Sequence, residues 1–184
     1  MARYLGIDPD TKTPGFAIVA VSGKVVTVQH AGVLRGDGNR KALLLDVDKT
    51  FWELGVTQGV GIDAVVVEGQ QIYMHGPHKT KDPKPIVTLA QAAGMLMAKA
   101  LDQWPLADWD MPRPAEWKGQ VKKVAHQAWV CEQVGWQYKR LKTGVRPAIP
   151  KVAHIWGDPE NDEWSEVVDA VGLALWAATK KVWR

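Results

Sequence analysis

Cysteine is almost absent. Cys131 stands alone among 184 residues, so no disulfide can staple the chain, and a lone thiol fits a reducing compartment. No apolar run approaches the roughly 18 residues that cross a bilayer; the best, Ala170 to Ala178, is about half that. Ahead of Asp8 the chain offers only Tyr4-Leu5-Gly6-Ile7, too little for a signal-peptide core, so neither export nor a membrane partner is expected. Internal repeats and low-complexity linkers are missing too. Two Phe and three Tyr stand against ten Trp, and most of those indoles are read as core or interface filler. With 46% hydrophobic and 23% charged residues, a disordered or collagen-like chain is excluded. One ordinary domain spanning 1–184 is expected, burying about 70% of the unfolded surface.

Net charge is only +3, but it is unevenly spread. From Arg113 to Lys151 nine Lys/Arg face two acids, Glu116 and Glu132, a local excess of seven over a remainder that is net −4. Such a block suits a polyanionic partner, because each phosphate contact releases counterions. A solvated helix face would look the same.

Arg3 to Asp8 reads as a first strand, Phe16 to Val21 as a second, and Lys24 to about Leu34 as a third after the Ser22-Gly23 turn. Asn39 is placed to cap a helix whose apolar face carries Leu43, Leu44, Val47, Phe51 and Leu54. Ile62 to Glu68 holds Ala-Val-Val-Val, the signature of a strand covered on both faces. A loop rich in Pro, His and Lys follows from Tyr73, and Pro85 opens a helix to about Gln103. Asp108 to Met111 is a short fifth strand, Trp117 to about Val134 a helix, and Lys139 to Gly157 irregular. Asp158-Pro159 is a cap and first-turn pair for a last helix to about Val182. The expected architecture is a mixed α/β sheet of five strands, three antiparallel and then parallel, flanked by helices.

Four acids stand where a packed core would not choose them. Asp8 ends the apolar first strand and Glu68 ends Val65-Val66-Val67. Charged groups at interior strand ends cost several kcal/mol to desolvate unless paired or metal-bound. If the first and fourth strands are neighbours, their side chains sit about 5 Å apart and can share one cation. In the last helix, Glu166 and Asp169 share a face by their spacing of three, beside the stripe of Trp164, Val167, Val168, Val171 and Leu175. Converging carboxylates need a neutraliser, and hard oxygen donors favour Mg²⁺ or Mn²⁺ over zinc. Two such ions about 4 Å apart suit phosphodiester hydrolysis. Singly, each acid has a plainer reading: Asp8 before Pro9 could cap a turn, Glu68 could pair with a lysine, and Glu166 could answer the helix dipole. Asp162 and Glu163, one turn earlier, are candidate substitutes in this set but are expected to be solvated helix-start acids.

Taken together, Gly6-Ile7-Asp8-Pro9 with Gly15-Phe16-Ala17, Val65-Val66-Val67-Glu68-Gly69-Gln70, Leu89-Ala90-Gln91-Ala92-Ala93-Gly94 and Asp169-Ala170-Val171-Gly172-Leu173-Ala174 resemble, in order, the RuvC family of Holliday-junction resolvases within the ribonuclease H-like superfamily. The resemblance covers most of the chain. It implies a ribonuclease H-like fold and a crossover junction endodeoxyribonuclease of DNA recombination and repair. It also implies a homodimer working in bacterial or phage-infected cytoplasm. Asp8, Glu68, Glu166 and Asp169 would be its metal-binding tetrad, holding two Mg²⁺, with Mn²⁺ as substitute. The chain departs from the family at Asp10 (usually Gly), at Glu166 (commonly Asp or His), in a compressed Lys118-Gly-Gln-Val-Lys122-Lys123 segment, and in a longer stretch from 139 to 157. These departures imply a divergent, phage-type member.

By the same resemblance, Lys118 and one of Lys122 or Lys123 would approach the scissile phosphate. Lys79, Lys81 and Arg113 are candidates for backbone contacts, which position DNA without reading bases. Tyr73 is a candidate for stacking on an unpaired base, worth about 1–3 kcal/mol; it could equally be an ordinary loop tyrosine. His75 and His78 suggest a metal only weakly, without cysteine partners. The helix from Pro85, with Ala92, Ala93 and Gly94 permitting close approach, is the candidate dimer interface or plain core. Against these stand other readings. Actin-like kinases need two large domains, and exonucleases of the superfamily carry Asp-x-Glu where this chain has Asp8-Pro9-Asp10. A conventional ribonuclease H would put its second acid on the first helix, near Glu53. The family's anti-termination relatives are shorter and lack the basic segment. Cutting of generic or branched DNA, or a non-catalytic junction-binding scaffold, would share most of these features.

Overall fold

The computed structural model describes residues 1–36, 39–70, 82–119, 121–142, 144–149, 152–160 and 163–182. Its strands are β1 (Ala2–Asp8), β2 (Gly15–Ser22), β3 (Val25–Val33), β4 (Ala64–Val67), β5 (Asp108–Asp110), β6 (Gln137–Arg140), β7 (Val145–Ile149) and β8 (Val152–Trp156). The helices are α1 (Arg40–Trp52), α2 (Lys84–Gln103), α3 (Pro114–Trp117), α4 (Lys123–Gln133) and α5 (Trp164–Val182). Six strands form one sheet in the order β5-β4-β1-β2-β3-β8, and β6-β7 form a separate ribbon. Pairing is antiparallel for β1–β2 and β2–β3 and parallel for β1–β4, β4–β5 and β3–β8. Among the described residues no helix is long and apolar enough to cross a membrane.

Side-chain alternation divides the sheet. Leu5, Ile7, Phe16, Ile18, Val65 and Val67 enter a core with Leu43, Val47 and Phe51 of α1 and Leu96 of α2. The intervening positions, Tyr4, Ala17, Val19, Ala64 and Val66, enter a second core with α4 and α5. Because strand side chains alternate with period two, Asp8 shares parity with Tyr4, and Glu68 with Ala64 and Val66. Both acids therefore belong to the α5 face.

The sheet has one strand more than the five expected. The basic stretch from Lys139 read as irregular holds the end of β6 and all of β7 and β8, and β8 extends the sheet beyond β3 with His154 in register with His30. A Cβ on Gly32 would lie 2.1 Å from the Trp156 carbonyl oxygen, so a glycine on β3 makes that contact possible. The expected helix from Trp117 begins only at Lys123, because the short α3 ends at Trp117 and Gly119 takes the left-handed conformation (φ 61°) between α3 and α4. Asp158 does not cap the last helix either. Its φ of 43° makes it part of the turn after β8, and the helix starts at Trp164. Arg35 secures that turn, donating to the carbonyls of Gly157 and Asp158 and to both Glu163 oxygens at 2.8 and 2.9 Å. Glu163 is thus paired, not solvated. Asn39 does cap α1, accepting from Lys41 N–H at 2.9 Å.

Candidate active site

Backbone proximity builds the site. A Cβ on Gly6 would fall 2.1 Å from the Ala170 carbonyl oxygen, and one on Gly15 would fall 2.4 Å from that of Glu166. No side chain fits there, so the main chain of α5 rests directly on β1 and β2. Gly15 is the cross-strand partner of Asp8, which brings the start of α5 over the end of β1. On the other side of β1, Ile7 pairs with Val67, and Glu68 N–H donates to the Ile7 carbonyl at 3.1 Å. Asp8, Glu68, Glu166 and Asp169 are thereby drawn to one end of the sheet from three separate elements.

Burial makes this grouping costly. Asp8 is 5% exposed, Glu68 8% and Asp169 1%, and Glu166 is half-buried. Burial first, then the charges of Asp169, Glu68 and Glu166, and then a hydrogen bond with Glu166 hold the Asp8 carboxyl well above its ordinary range. Asp169 is the sharper anomaly. Oδ1 has no partner, and Oδ2 has only the Lys123 ammonium at 3.2 Å, without hydrogen-bond geometry. A buried polar oxygen left without a hydrogen bond costs at least about 1–3 kcal/mol.

Two lysines and an indole line the acids. Lys118 Nζ is 3.0 Å from Glu68 Oε1 and 4.7 Å from the Trp117 ring centroid. Trp117 Nε1–H donates to the same carboxylate oxygen at 3.0 Å. Lys123 Nζ lies 3.5 Å from Glu166 Oε1 as well as near Asp169. For both lysines burial alone would lower the pKa, but the surrounding carboxylates outweigh it and raise it, so both stay charged. Lys122 is exposed at the N-cap of α4. Arg113 lies apart, paired with Glu116 at 2.7 Å.

Reading the sequence missed Trp117 and its support. Its ring meets His126 edge-on at 4.8 Å, and a Cβ on Gly172 would come within 2.9 Å of it. Burial lowers the His126 pKa, so this imidazole stays neutral beside the indole. The available signal was the Trp-Lys pair at 117–118, in which only the lysine drew attention. Tyr73, His75, His78, Lys79, Lys81 and Asp162 lie outside the described residues. In the candidate dimer helix Ala93 is fully buried core and Ala92 half-buried, while Gly94 faces open space.

The donor set fits a hard divalent cation. All four candidate ligands present carboxylate oxygens, and Asp169 Oδ1 has no partner while Oδ2 has only the Lys123 ammonium. Among the described residues no three acidic, His or Cys side chains form a ready-made ligand group; Lys118 and Lys123 hold the acids instead. A cavity of about 720 Å³ lies elsewhere, lined by Trp109 of β5 and Trp176 and Lys180 of α5, and it contains none of the four acids.

No protein-family model and no curated protein matches the chain. Solved structures do. RuvC of Thermus thermophilus in complex with a Holliday junction superposes with a TM-score of 0.64 at 18% identity, over 98% of this chain and 95% of that one. A second structure of Thermus thermophilus RuvC gives 0.61 at 20% identity, over 96% and 93%. The yeast mitochondrial Holliday-junction resolvase Ydc2 gives 0.52 at 15%, over 100% and 83%. The fold of the chain is the ribonuclease H-like fold of these proteins.

Proposed function

We propose that this protein is a metal-dependent endonuclease that resolves four-way DNA junctions by paired, symmetrical phosphodiester hydrolysis as a homodimer. The observation that carries the reading is the gathering of Asp8, Glu68, Glu166 and Asp169, three of them buried, with Asp169 Oδ1 unpartnered and Oδ2 met only by the Lys123 ammonium. Likeness of fold to a RuvC bound to a junction supports the choice of substrate.

In this reading Asp8 and Asp169 would hold the cations, Glu68 would complete one ligand set, and Glu166 would orient ligand or water. Divalent magnesium, when bound, supplies Lewis-acid neutralisation at the phosphodiester. The chain's own residues do the rest. Trp117 fixes one Glu68 oxygen so that the carboxylate keeps a single orientation. Lys118 and Lys123, charged and already at the acids, transfer to phosphate oxygens and steady the charge that builds during hydrolysis. Lys122 and Arg113, with Lys79, Lys81 and Tyr73, contribute to holding DNA. Two cuts need two sites about a two-fold axis, and α2 is the interface candidate.

The lysine–carboxylate pairs favour a second reading, a junction-binding scaffold in which Lys118 and Lys123 neutralise the acids permanently. End-labelled synthetic four-way junctions and matched linear duplexes separate the two. Incubation with Mg²⁺, Mn²⁺ or EDTA, with Asp8→Asn alongside, is expected to give paired symmetrical nicks on the junction only, abolished by EDTA and by the variant. Equal cutting of duplex would reduce the substrate to generic DNA. Tight junction binding without cutting under either metal would establish the scaffold, and absence of both would end the proposal.

A further inference from the structure

We infer that the β6–β7 ribbon is a second DNA-binding surface, gripping backbone phosphates of a duplex arm beside the carboxylate site; this rests on the nuclease reading. Between Glu132 and Asp158 the chain has no acidic residue, and it carries Lys139, Arg140, Lys142, Arg146 and Lys151. The first four are exposed, and none of them makes an ion pair among the described residues. The acid nearest in sequence, Glu132, already accepts from the Tyr138 hydroxyl at 2.8 Å.

Register sharpens the point. Lys139 stands directly opposite Arg146, and like charges facing each other across a ribbon destabilise it. Such a pair is tolerable where an anion comes to lie across it. The chemistry offered is four cations on a short two-stranded ribbon, suited to phosphates and carrying no sequence code.

The side of the ribbon that Val145 shares with its register partner Arg140 is tied to the site. Val145 is 1% exposed, and its N–H donates to Gln127 Oε1 at 3.0 Å. The same fully buried Gln127 donates through Nε2 to the Ser165 carbonyl and hydroxyl, both at 3.0 Å. Ser165 immediately precedes Glu166. Trp136, just before β6, meets Trp164 of α5 edge-on at 6.4 Å. A Cβ on Gly144 would come 2.8 Å from Gln127 Oε1, so only glycine leaves this clamp undisturbed. A phosphate held by the ribbon is thus held in fixed relation to the start of α5.

The test uses the full chain carrying Asp8→Asn to block cleavage, with a synthetic four-way junction and a matched duplex titrated in salt. Three forms are compared: this parent, a neutral form with K139Q, R140Q, K142Q and R146Q, and a charge-keeping form with K139R, R140K, K142R and R146K. Each phosphate contact contributes about 0.9 to the slope of log affinity against log salt. The neutral form should therefore show a slope shallower by about 3 to 4, and the parent about a hundredfold greater loss of affinity between about 50 and 200 mM salt. The charge-keeping form should match the parent. Should the neutral form not fold, single variants Lys139→Gln and Arg146→Gln should each flatten the slope by about 0.9. An unchanged slope in the neutral or single variants, or a charge-keeping form that behaves like the neutral one, overturns the inference and leaves the nuclease reading standing. A parent that binds neither DNA at low salt overturns both.

Discussion

On the α1–α2 face of the sheet, Leu5, Ile7, Phe16, Phe51, Leu43 and Leu96 fill the space between layers with large side chains. On the α5 face the strands carry Gly6, Gly15 and Ala17, and the helix presents Ala170 and Ala174, while Gly172 is turned toward Trp117. The first face separates its layers with side chains that can repack. The second sets main chain against main chain, so the positions of Asp8, Glu166 and Asp169 are fixed by backbone contact. One face contributes mainly stability and the other mainly geometry, and substitutions should divide accordingly.

The widest break in that comparison pairs Phe51→Ala with Gly15→Ala. The first should cost about 3–5 kcal/mol in denaturant unfolding, with junction cleavage per folded molecule within about threefold of the parent. Gly15→Ala must displace the Glu166 backbone, and its cleavage per folded molecule should fall at least about a hundredfold, equivalent to about 2.7 kcal/mol of barrier. Equal losses of activity in the two would erase the distinction between the faces.

Metal addition should act only on the glycine face. At about 100 times its dissociation constant, Mg²⁺ should stabilise the protein by about 2.7 kcal/mol, read as a rise in melting temperature that Asp8→Asn and Asp169→Asn lack. The pH dependence sharpens this. Asp8, buried among Asp169, Glu68 and Glu166, titrates above its ordinary range, so metal-free folded protein binds a proton there that the unfolded chain releases. Stability from this group is present at acid pH and lost as pH rises through its folded-state value. Without metal, Asp8→Asn should therefore melt above the parent at pH 8, and the gap should close toward pH 4.

Trp117→Phe keeps the ring between His126 and Gly172 but removes the N–H that holds Glu68. A loss of about 1.5–3 kcal/mol is expected for that charged hydrogen bond, with cleavage falling about tenfold and junction binding unaltered. The smallest effect lies at the far edge of the sheet. Burial first, then His154 and Arg3, lower the His30 pKa, so its contribution to stability is present at neutral pH and lost as pH falls below the ordinary histidine range. Amide exchange along β8, corrected for intrinsic rates, should quicken at pH 5 relative to pH 7.5. In His30→Gln that change should be reduced.

Much of this fold was legible because it rests on local chemistry. The short apolar runs of β1, β2 and β4, the Asn39 cap and the apolar stripe of α5 are written in adjacent residues. The four acids were legible as a pattern for the same reason: each interrupts an apolar element where desolvation makes a charge conspicuous. The elements misread were those decided at a distance. Val152–Trp156 is short and becomes a strand only because Gly32 admits Trp156 against β3. Asp158 resembles a cap in sequence, but Arg35, 123 residues away, holds the turn that precedes the helix.

By itself, then, the sequence determined the layered α/β architecture, the strand-end placement of Asp8 and Glu68, and the i, i+3 pairing of Glu166 with Asp169. Periodicity and helical spacing need no knowledge of what packs against them. Only the tertiary structure decided that Lys123 rather than Lys122 reaches the acids, that Trp117 restrains Glu68, and that Gln127 joins the basic ribbon to the start of α5. Each of those contacts depends on how closely two backbones approach, a distance set here by glycines whose meaning appears only when the opposing element is in place.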